Sequence, residues 1–220
     1  MLRMNPRRQL LLLGTAAVVC LPVVAGPRRA LVAMTDGPFY PPRAWRDRGP
    51  LAGDWDADMT RVERAGGVAV ARGEHLALQA VVADTDGRAI DNAEVEFWQC
   101  DTLMQYRHPD VALAPVGRYD AGFQGFGAAR SAKDGTLRLR TIKPVTYPGR
   151  TPHIHVKLRH AAFGELTSQL FLAGDPGNAR DFLWRNVPAA DRAALEMTLT
   201  PAPAGSGLRW VVQQTLVVPA

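Results

Sequence analysis

Cysteine is scarce in this chain, which has only Cys20 and Cys100 among its 220 residues. Cys20 lies in an apolar leader that is expected to be removed, so one cysteine would remain and no internal disulfide could form. The sequence also lacks internal repeats and a glycine-rich phosphate loop. Gly125 and Gly127 do not connect a strand to a helix, which argues against a dinucleotide-binding fold. A bound metal is one remaining way to stiffen such a domain.

Residues 1–25 predict a secretory signal peptide. They combine a basic start, an apolar run and small residues before Ala25, and the apolar run is too short for a stable membrane span. Arg7 and Arg8, followed by Gln-Leu-Leu, resemble the twin-arginine signal, and a general secretory signal is the alternative. We therefore expect an exported bacterial protein, periplasmic or extracellular, without a stable membrane anchor.

The excess of basic residues is small once the leader is set aside. The whole chain has 26 basic and 21 acidic residues, a formal charge of +5. Removing Arg3, Arg7 and Arg8 leaves 23 basic against 21 acidic residues, or +2. A charge this close to zero gives no support for nucleic-acid binding, and we expect no nucleic-acid partner.

Residues 26–67 are predicted to form an N-terminal arm that wraps the core. The segment is rich in proline, glycine and aspartate and has no sustained hydrophobic period. Its aromatic side chains, Phe39, Tyr40, Trp45 and Trp55, need apolar surroundings. An ordered loop lying on the main domain would provide them.

Residues 68–220 predict a β-sandwich. Segments of alternating or continuous apolar residues are separated by turn-forming residues, and the 20 glycines and 17 prolines of the chain are spread along it. Six or more such strands indicate an all-β sandwich of mainly antiparallel strands with long loops. Only residues 188–196 look helical, so one short helix is expected. The strand segments include EHLALQAVVAD, NAEVEFWQCD, GTLRLRTI, PHIHVKLRH, LTSQLFLAG and WVVQQTLVV.

Two histidines alternate on one of these strands. His153 and His155 are two residues apart, so their imidazoles project from the same face, roughly 7 Å apart at the backbone. Ile154 and Val156 point to the opposite face. Such a pair can bind one metal ion, or it can be a solvated or hydrogen-bonded pair without a metal.

One tyrosine lies within reach of the histidine pair in the predicted fold, and a second follows another predicted strand. Tyr147 is on the turn six residues before His153, and Tyr106 follows the strand that ends at FWQCD. Each alone could be a structural residue. A phenol, whose pKa is about 10, becomes a ligand at neutral pH only beside a strongly charged cation, which favours trivalent iron over zinc.

Taken together, these motifs resemble the intradiol ring-cleaving dioxygenases, which are non-haem iron(III) enzymes. The likeness covers about residues 35–175 and rests on GPFYPP, VEFWQCD, QYRH, FQGFG, GTLRLRTIKPVTYPGRTPHIHVKL and SQLFLAGDP, in this order. The resemblance implies a β-sandwich in which two tyrosines and two histidines hold iron(III). The implied ligands are Tyr106, Tyr147, His153 and His155.

The same resemblance implies the activity. A catechol would be cleaved between its hydroxyl-bearing carbons to a muconate-type diacid, with dioxygen as co-substrate. Arg150 matches the family's active-site arginine, Gln169 a polar residue behind the substrate, and Tyr147 would also act as a base. A homo-oligomer is left open. His108 and His160 are expected to lie outside the ligand set.

The chain departs from the family pattern beside Arg150, and two other functions stay open. Tyr147 is separated from Arg150 by Pro148 and Gly149 alone, a shorter segment than usual, which predicts a more open pocket. A transthyretin-like extracellular binding module with a structural metal would keep the fold without needing Arg150. A zinc hydrolase would need a third histidine or carboxylate beside the histidine pair.

Overall fold

The computed structural model describes residues 28–42, 44, 52–108 and 119–220. The predicted signal peptide, residues 1–25, lies outside these residues, as does Trp45 of the predicted arm. The strands are β1 (Arg61–Arg64), β2 (Gly67–Val70), β3 (His75–Asp84), β4 (Glu94–Trp98), β5 (Phe126–Arg130), β6 (Thr136–Ile142), β7 (His153–His160), β8 (Gly164–Leu172), β9 (Glu196–Met197), β10 (Thr200–Pro201) and β11 (Trp210–Val218).

The strands form two main sheets and a hairpin. One sheet has the order β10-β11-β3-β6, the other has the order β5-β4-β7-β8-β9, and β1 pairs with β2. Most neighbours are antiparallel; β11 with β3 and β8 with β9 are parallel. The predicted all-β sandwich is confirmed. The β1–β2 hairpin straddles residue 67, where the sequence suggested that the arm ends.

In the described part of the chain, two short α-helices follow β8. The helix α2 (Ala189–Leu195) lies within the predicted segment 188–196, whereas α1 (Phe182–Asn186) was not expected. The Asp181 carboxylate caps the N-terminus of α1 by accepting hydrogen bonds from the backbone N–H groups of Leu183 and Trp184. In the part of the chain described, no helix is long and apolar enough to span a bilayer.

The core lies between the two sheets and follows from strand alternation. On β3, Leu76 and Leu78 are fully buried, and on β7 the same holds for Ile154 and Val156. These side chains belong to one continuous apolar cluster. Because alternate residues of a strand face opposite sides, burying Ile154 and Val156 inside directs His153 and His155 to the outer face.

The outer face of the β4-β7-β8 region is covered by the N-terminal arm. The Leu31 and Met34 backbone N–H groups donate to the carbonyl groups of Val217 and Thr167, at 2.9 and 2.8 Å. This pairing brings the residues that follow Met34 across the outer face. The histidines there are therefore buried although they point away from the sandwich core.

Candidate metal centre

The two histidines of β7 converge on one point. Their Nε2 atoms are 3.2 Å apart, and both side chains are 2% exposed. Trp98, which pairs with His155 across β4 and β7, stacks on the His155 ring with a centroid distance of 4.6 Å. The stacking and the strand backbone fix the direction in which the imidazoles point.

Tyr106 adds a third donor atom from the loop after β4. Its phenol oxygen lies 3.4 Å from His153 Nε2 and 3.2 Å from His155 Nε2. Ligand atoms about 2.0–2.1 Å from one ion, at angles of about 90–120°, are about 2.8–3.6 Å apart. The triangle formed by these three atoms fits a single metal ion.

The protonation of the histidines also suits a metal ligand. Burial, with a smaller effect of Arg150, lowers the pKa of His153 to about 3. Burial, followed by His153 and Arg150, lowers the pKa of His155 well below its usual value. His153 Nδ1 lies 2.7 Å from the Thr151 carbonyl oxygen. A neutral imidazole that donates there has a free lone pair on Nε2, directed at the centre of the triangle.

A tight turn places Tyr147 next to Arg150. The Arg150 N–H donates to the Tyr147 carbonyl at 2.9 Å, and Gly149 has a φ of +83°. Proline at the second position and a glycine of positive φ at the third are typical of a type II turn. The Tyr147 ring lies 5.7 Å from that of Tyr106 and 5.6 Å from that of His153, between centroids.

Both phenols would be protonated in the absence of a cation. Burial, together with Tyr147, raises the pKa of Tyr106 well above its usual value. Burial also raises the pKa of Tyr147, although the charge of Arg150 opposes this. Only a highly charged ion at the centre of the site would favour the phenolate forms.

Arg150 is held on two sides and faces Tyr147 with its remaining nitrogen. Its Nε donates to Asp181 Oδ2 at 2.8 Å, and its Nη2 donates to Gln169 Oε1 at 2.6 Å. Nη1 lies 3.4 Å from the Tyr147 phenol oxygen. Gln169 is fully buried on β8 directly opposite His155, and its Nε2 has no hydrogen-bond partner among the described residues.

Asp181 is a site residue that the sequence reasoning missed. Burial alone would raise the pKa of Asp181, but hydrogen bonds from Thr151 N–H, Trp184 N–H and Arg150 outweigh it and lower the pKa. The ionised carboxylate therefore pairs with Arg150 and caps α1 at the same time. An aspartate just before a short apolar segment is a helix-start signal, and that signal could have located α1 but not the contact with Arg150.

The other histidines lie apart from the triangle. His75 Nε2 is 2.9 Å from the Ala71 carbonyl oxygen, and His160 lies at the end of β7 against Phe163. His108 is close to Phe39, at 6.4 Å between ring centroids. Within the described ranges, no group of three or more histidine, cysteine, aspartate or glutamate side chains could hold a metal.

Comparison with known proteins shows which proteins this chain is related to. A dioxygenase family model (Dioxygenase_C) matches residues 37–202. The protocatechuate 3,4-dioxygenase beta chain of Burkholderia cepacia is 32% identical over 185 residues, which cover 79% of this chain and 75% of that protein. The catechol 1,2-dioxygenase of Acinetobacter baylyi is 31% identical over 133 residues, which cover 51% of this chain and 40% of that protein.

A solved structure agrees with these sequence matches. It is the dioxygenase domain of a dioxygenase and carbohydrate-binding protein fusion from Streptomyces sp. SirexAA-E, with a TM-score of 0.62 and 26% identity. The match covers 87% of this chain and 99% of that domain. The motifs, the sandwich and the donor triangle agree with these relationships, and the chain belongs to the intradiol ring-cleavage dioxygenase family of enzymes.

Proposed function

We propose that this chain is a non-haem iron(III) dioxygenase that cleaves a catechol ring between its two hydroxyl-bearing carbons. Both atoms of dioxygen would enter the product, a muconate-type diacid. The observation that carries the proposal is the triangle of Tyr106 Oη, His153 Nε2 and His155 Nε2, with sides of 3.2–3.4 Å. Family membership supports it, since the relatives named above are catechol and protocatechuate dioxygenases.

The proposed metal ligands are Tyr106, Tyr147, His153 and His155. Two phenolates and two neutral imidazoles form a hard, partly anionic donor set, which suits iron(III) better than zinc. When bound, iron(III) supplies Lewis acidity, which withdraws electron density from a catechol and makes its ring reactive towards dioxygen.

The remaining roles belong to side chains that surround the ligands. Tyr147 Oη acts as a base and accepts a proton from a substrate hydroxyl. It can do so only if it is a phenolate before the substrate binds. Arg150 Nη1, which is 3.4 Å from that oxygen, stabilises the negative charge that the substrate then has. Gln169 Nε2, buried and without a described partner, is available to donate a hydrogen bond to a substrate oxygen.

The test is to load purified protein with iron and supply a series of catechols under dioxygen. Iron(III) bound by tyrosinate absorbs visible light, so the loaded protein is expected to be coloured and to change colour when a catechol is added. Mass spectrometry with labelled dioxygen is expected to find two labelled oxygen atoms in the diacid. Colourless protein that contains one zinc per chain would contradict the proposal.

Changing Tyr147 to phenylalanine is expected to leave iron bound and to slow turnover by about a hundredfold or more, the size of a general-base contribution. The three donor atoms of the triangle remain in Tyr147→Phe, whereas the proton acceptor is lost. Iron content and kcat should be measured together. Tyr119→Phe is the matched control, because Tyr119 packs under Arg107 and is not one of the side chains that form the triangle. Equal kcat values in the two variants would refute the role of Tyr147.

Export and partners are also part of the proposal. We propose that residues 1–25 direct the protein out of the cytoplasm through the twin-arginine route, on the basis of Arg7 and Arg8. Replacing both with lysine is expected to retain the protein in the cytoplasm, as measured by cell fractionation.

A catechol and dioxygen are the proposed small-molecule partners, and light scattering would measure whether identical chains associate.

A further inference from the structure

The face of β7 that bears the histidine pair continues with two cations. Lys157 and Arg159 follow His153 and His155 at the same two-residue spacing, so all four side chains leave the strand on the outer face. Strand pairing places Glu96 of β4 directly across from Lys157. The metal centre and these charged side chains therefore lie on one continuous surface of the sheet.

A segment of the N-terminal arm crosses this surface and is held at its first residue. We refer to residues 36–40 as the strap. Lys157 Nζ donates to Asp36 Oδ2 at 2.6 Å, and Thr167 Oγ1 donates to Asp36 Oδ1 at 2.7 Å. Lys157 and Thr167 are themselves paired across β7 and β8, so one row of the sheet binds both oxygens of the same carboxylate.

The strap is held again at its last residue. The Tyr40 hydroxyl donates to Glu96 Oε2 at 2.6 Å and accepts from Arg159 Nη2 at 2.9 Å. Arg159 Nη1 in turn donates to Glu96 Oε1 at 2.6 Å. Glu96 is fully buried, so its charge is compensated by Arg159 and its second oxygen by Tyr40.

Between the two anchors, the strap lies against the proposed ligands. The Phe39 ring stacks on the Tyr106 ring with a centroid distance of 4.3 Å and an interplanar angle of 4°, and it meets the Tyr147 ring edge-on at 6.4 Å. A side-chain carbon added to Gly37 would lie 3.6 Å from His155 Cε1. Phe39 and Gly37, both between the two anchors, thus lie next to three of the four proposed ligands.

We propose that Lys157 and Arg159 are positioning residues for the metal centre, acting through Asp36 and Tyr40 to hold Phe39 against Tyr106. Neither cation contacts the triangle of donor atoms. Their effect is to fix both ends of a five-residue segment whose middle defines the orientation of the Tyr106 ring. The inference rests on the proposed iron-binding function.

The test removes the Asp36 carboxylate and the Tyr40 hydroxyl, which hold the two ends of the strap. The partners of these groups on the sheet, Lys157 and Arg159, each keep a carboxylate to pair with. In the double variant Asp36→Ala/Tyr40→Phe, Lys157 keeps Glu165 at 3.2 Å and Arg159 keeps Glu96. Amide hydrogen exchange of residues 36–40 in metal-free protein is expected to become about tenfold faster. Iron affinity, measured by competition with a chelator, is expected to fall by about tenfold, as for other partners that orient ligands. The visible absorption of iron-loaded protein should shift as well.

A control variant distinguishes positioning of the Tyr106 ring from a general stabilisation of the fold. Arg88→Met removes the exposed ion pairs of Arg88 with Asp84 and Asp86, which, among the described residues, make no ion pair with Lys157 or Arg159, and it should change none of these quantities. Faster exchange with unchanged iron affinity and unchanged absorption would overturn the inference, and so would unchanged exchange. A wild-type protein that takes up no iron would instead refute the proposed function itself.

Discussion

Replacing His153 with alanine is expected to abolish iron binding and the visible colour, and with them ring cleavage. The substitution deletes one of the three donor atoms of the triangle and leaves Tyr106 Oη and His155 Nε2. His75, at the Ala71 carbonyl, and His160, against Phe163, have contacts elsewhere. Changes in residues that merely orient ligands lower metal affinity about 10–100-fold, so loss of one donor atom of the triangle should lower it by more than about a hundredfold. Iron content and turnover after loading would measure the effect.

Misfolding must be separated from ligand loss in this variant. His153→Ala also leaves the buried Thr151 carbonyl without its imidazole partner, which costs about 1–3 kcal/mol of folding free energy. Thermal unfolding of the metal-free proteins measures that cost, and added imidazole, which fits the vacated space, is expected to restore part of the iron binding. His160→Ala, at the end of the same strand, is the control. Full iron content in His153→Ala would refute its assignment as a ligand.

The parts of the site that the sequence predicts are those set by local geometry. Strand alternation alone places His153 and His155 on one face, and a Tyr-Pro-Gly-Arg turn alone brings Tyr147 beside Arg150. Tyr106 is different, because it lies in a loop without a regular period and its position depends on packing against Phe39. Resemblance to the family suggested Tyr106, and no rule of periodicity could have done so.

The contacts that join distant segments could not be read from the sequence. Asp181 reaches Arg150 across 31 positions, and Asp36 reaches Lys157 across 121. Such contacts depend on strand register and on the path of the arm, which no local pattern encodes. The β1–β2 hairpin was missed for another reason: Val62 is the one buried residue in its two strands, so it shows no alternation of apolar and polar residues.

The same long-range contacts make Arg150 difficult to replace. Its guanidinium uses Nε for Asp181 and Nη2 for Gln169, which aims Nη1 at the Tyr147 phenol oxygen. A planar group with nitrogens in fixed directions can serve three partners at once, whereas a lysine ammonium is a single centre on a flexible stem. In a lysine variant, the Asp181 carboxylate would pair with the ammonium and draw it away from Tyr147. The positive charge beside the Tyr147 phenol oxygen would then be lost.

Arg150→Lys is therefore expected to bind iron normally and to lower kcat by about 10²–10³-fold, the usual effect of removing one preorganised charge-stabilising donor. Asp181→Asn, which keeps the arginine but weakens its anchor, is expected to give a smaller loss of about tenfold. Arg185→Lys, in the exposed last turn of α1, is the matched control and should have no effect. Iron content, KM and kcat should be determined for all three variants. A kcat of Arg150→Lys equal to that of Arg185→Lys would mean that the directed guanidinium has no part in turnover.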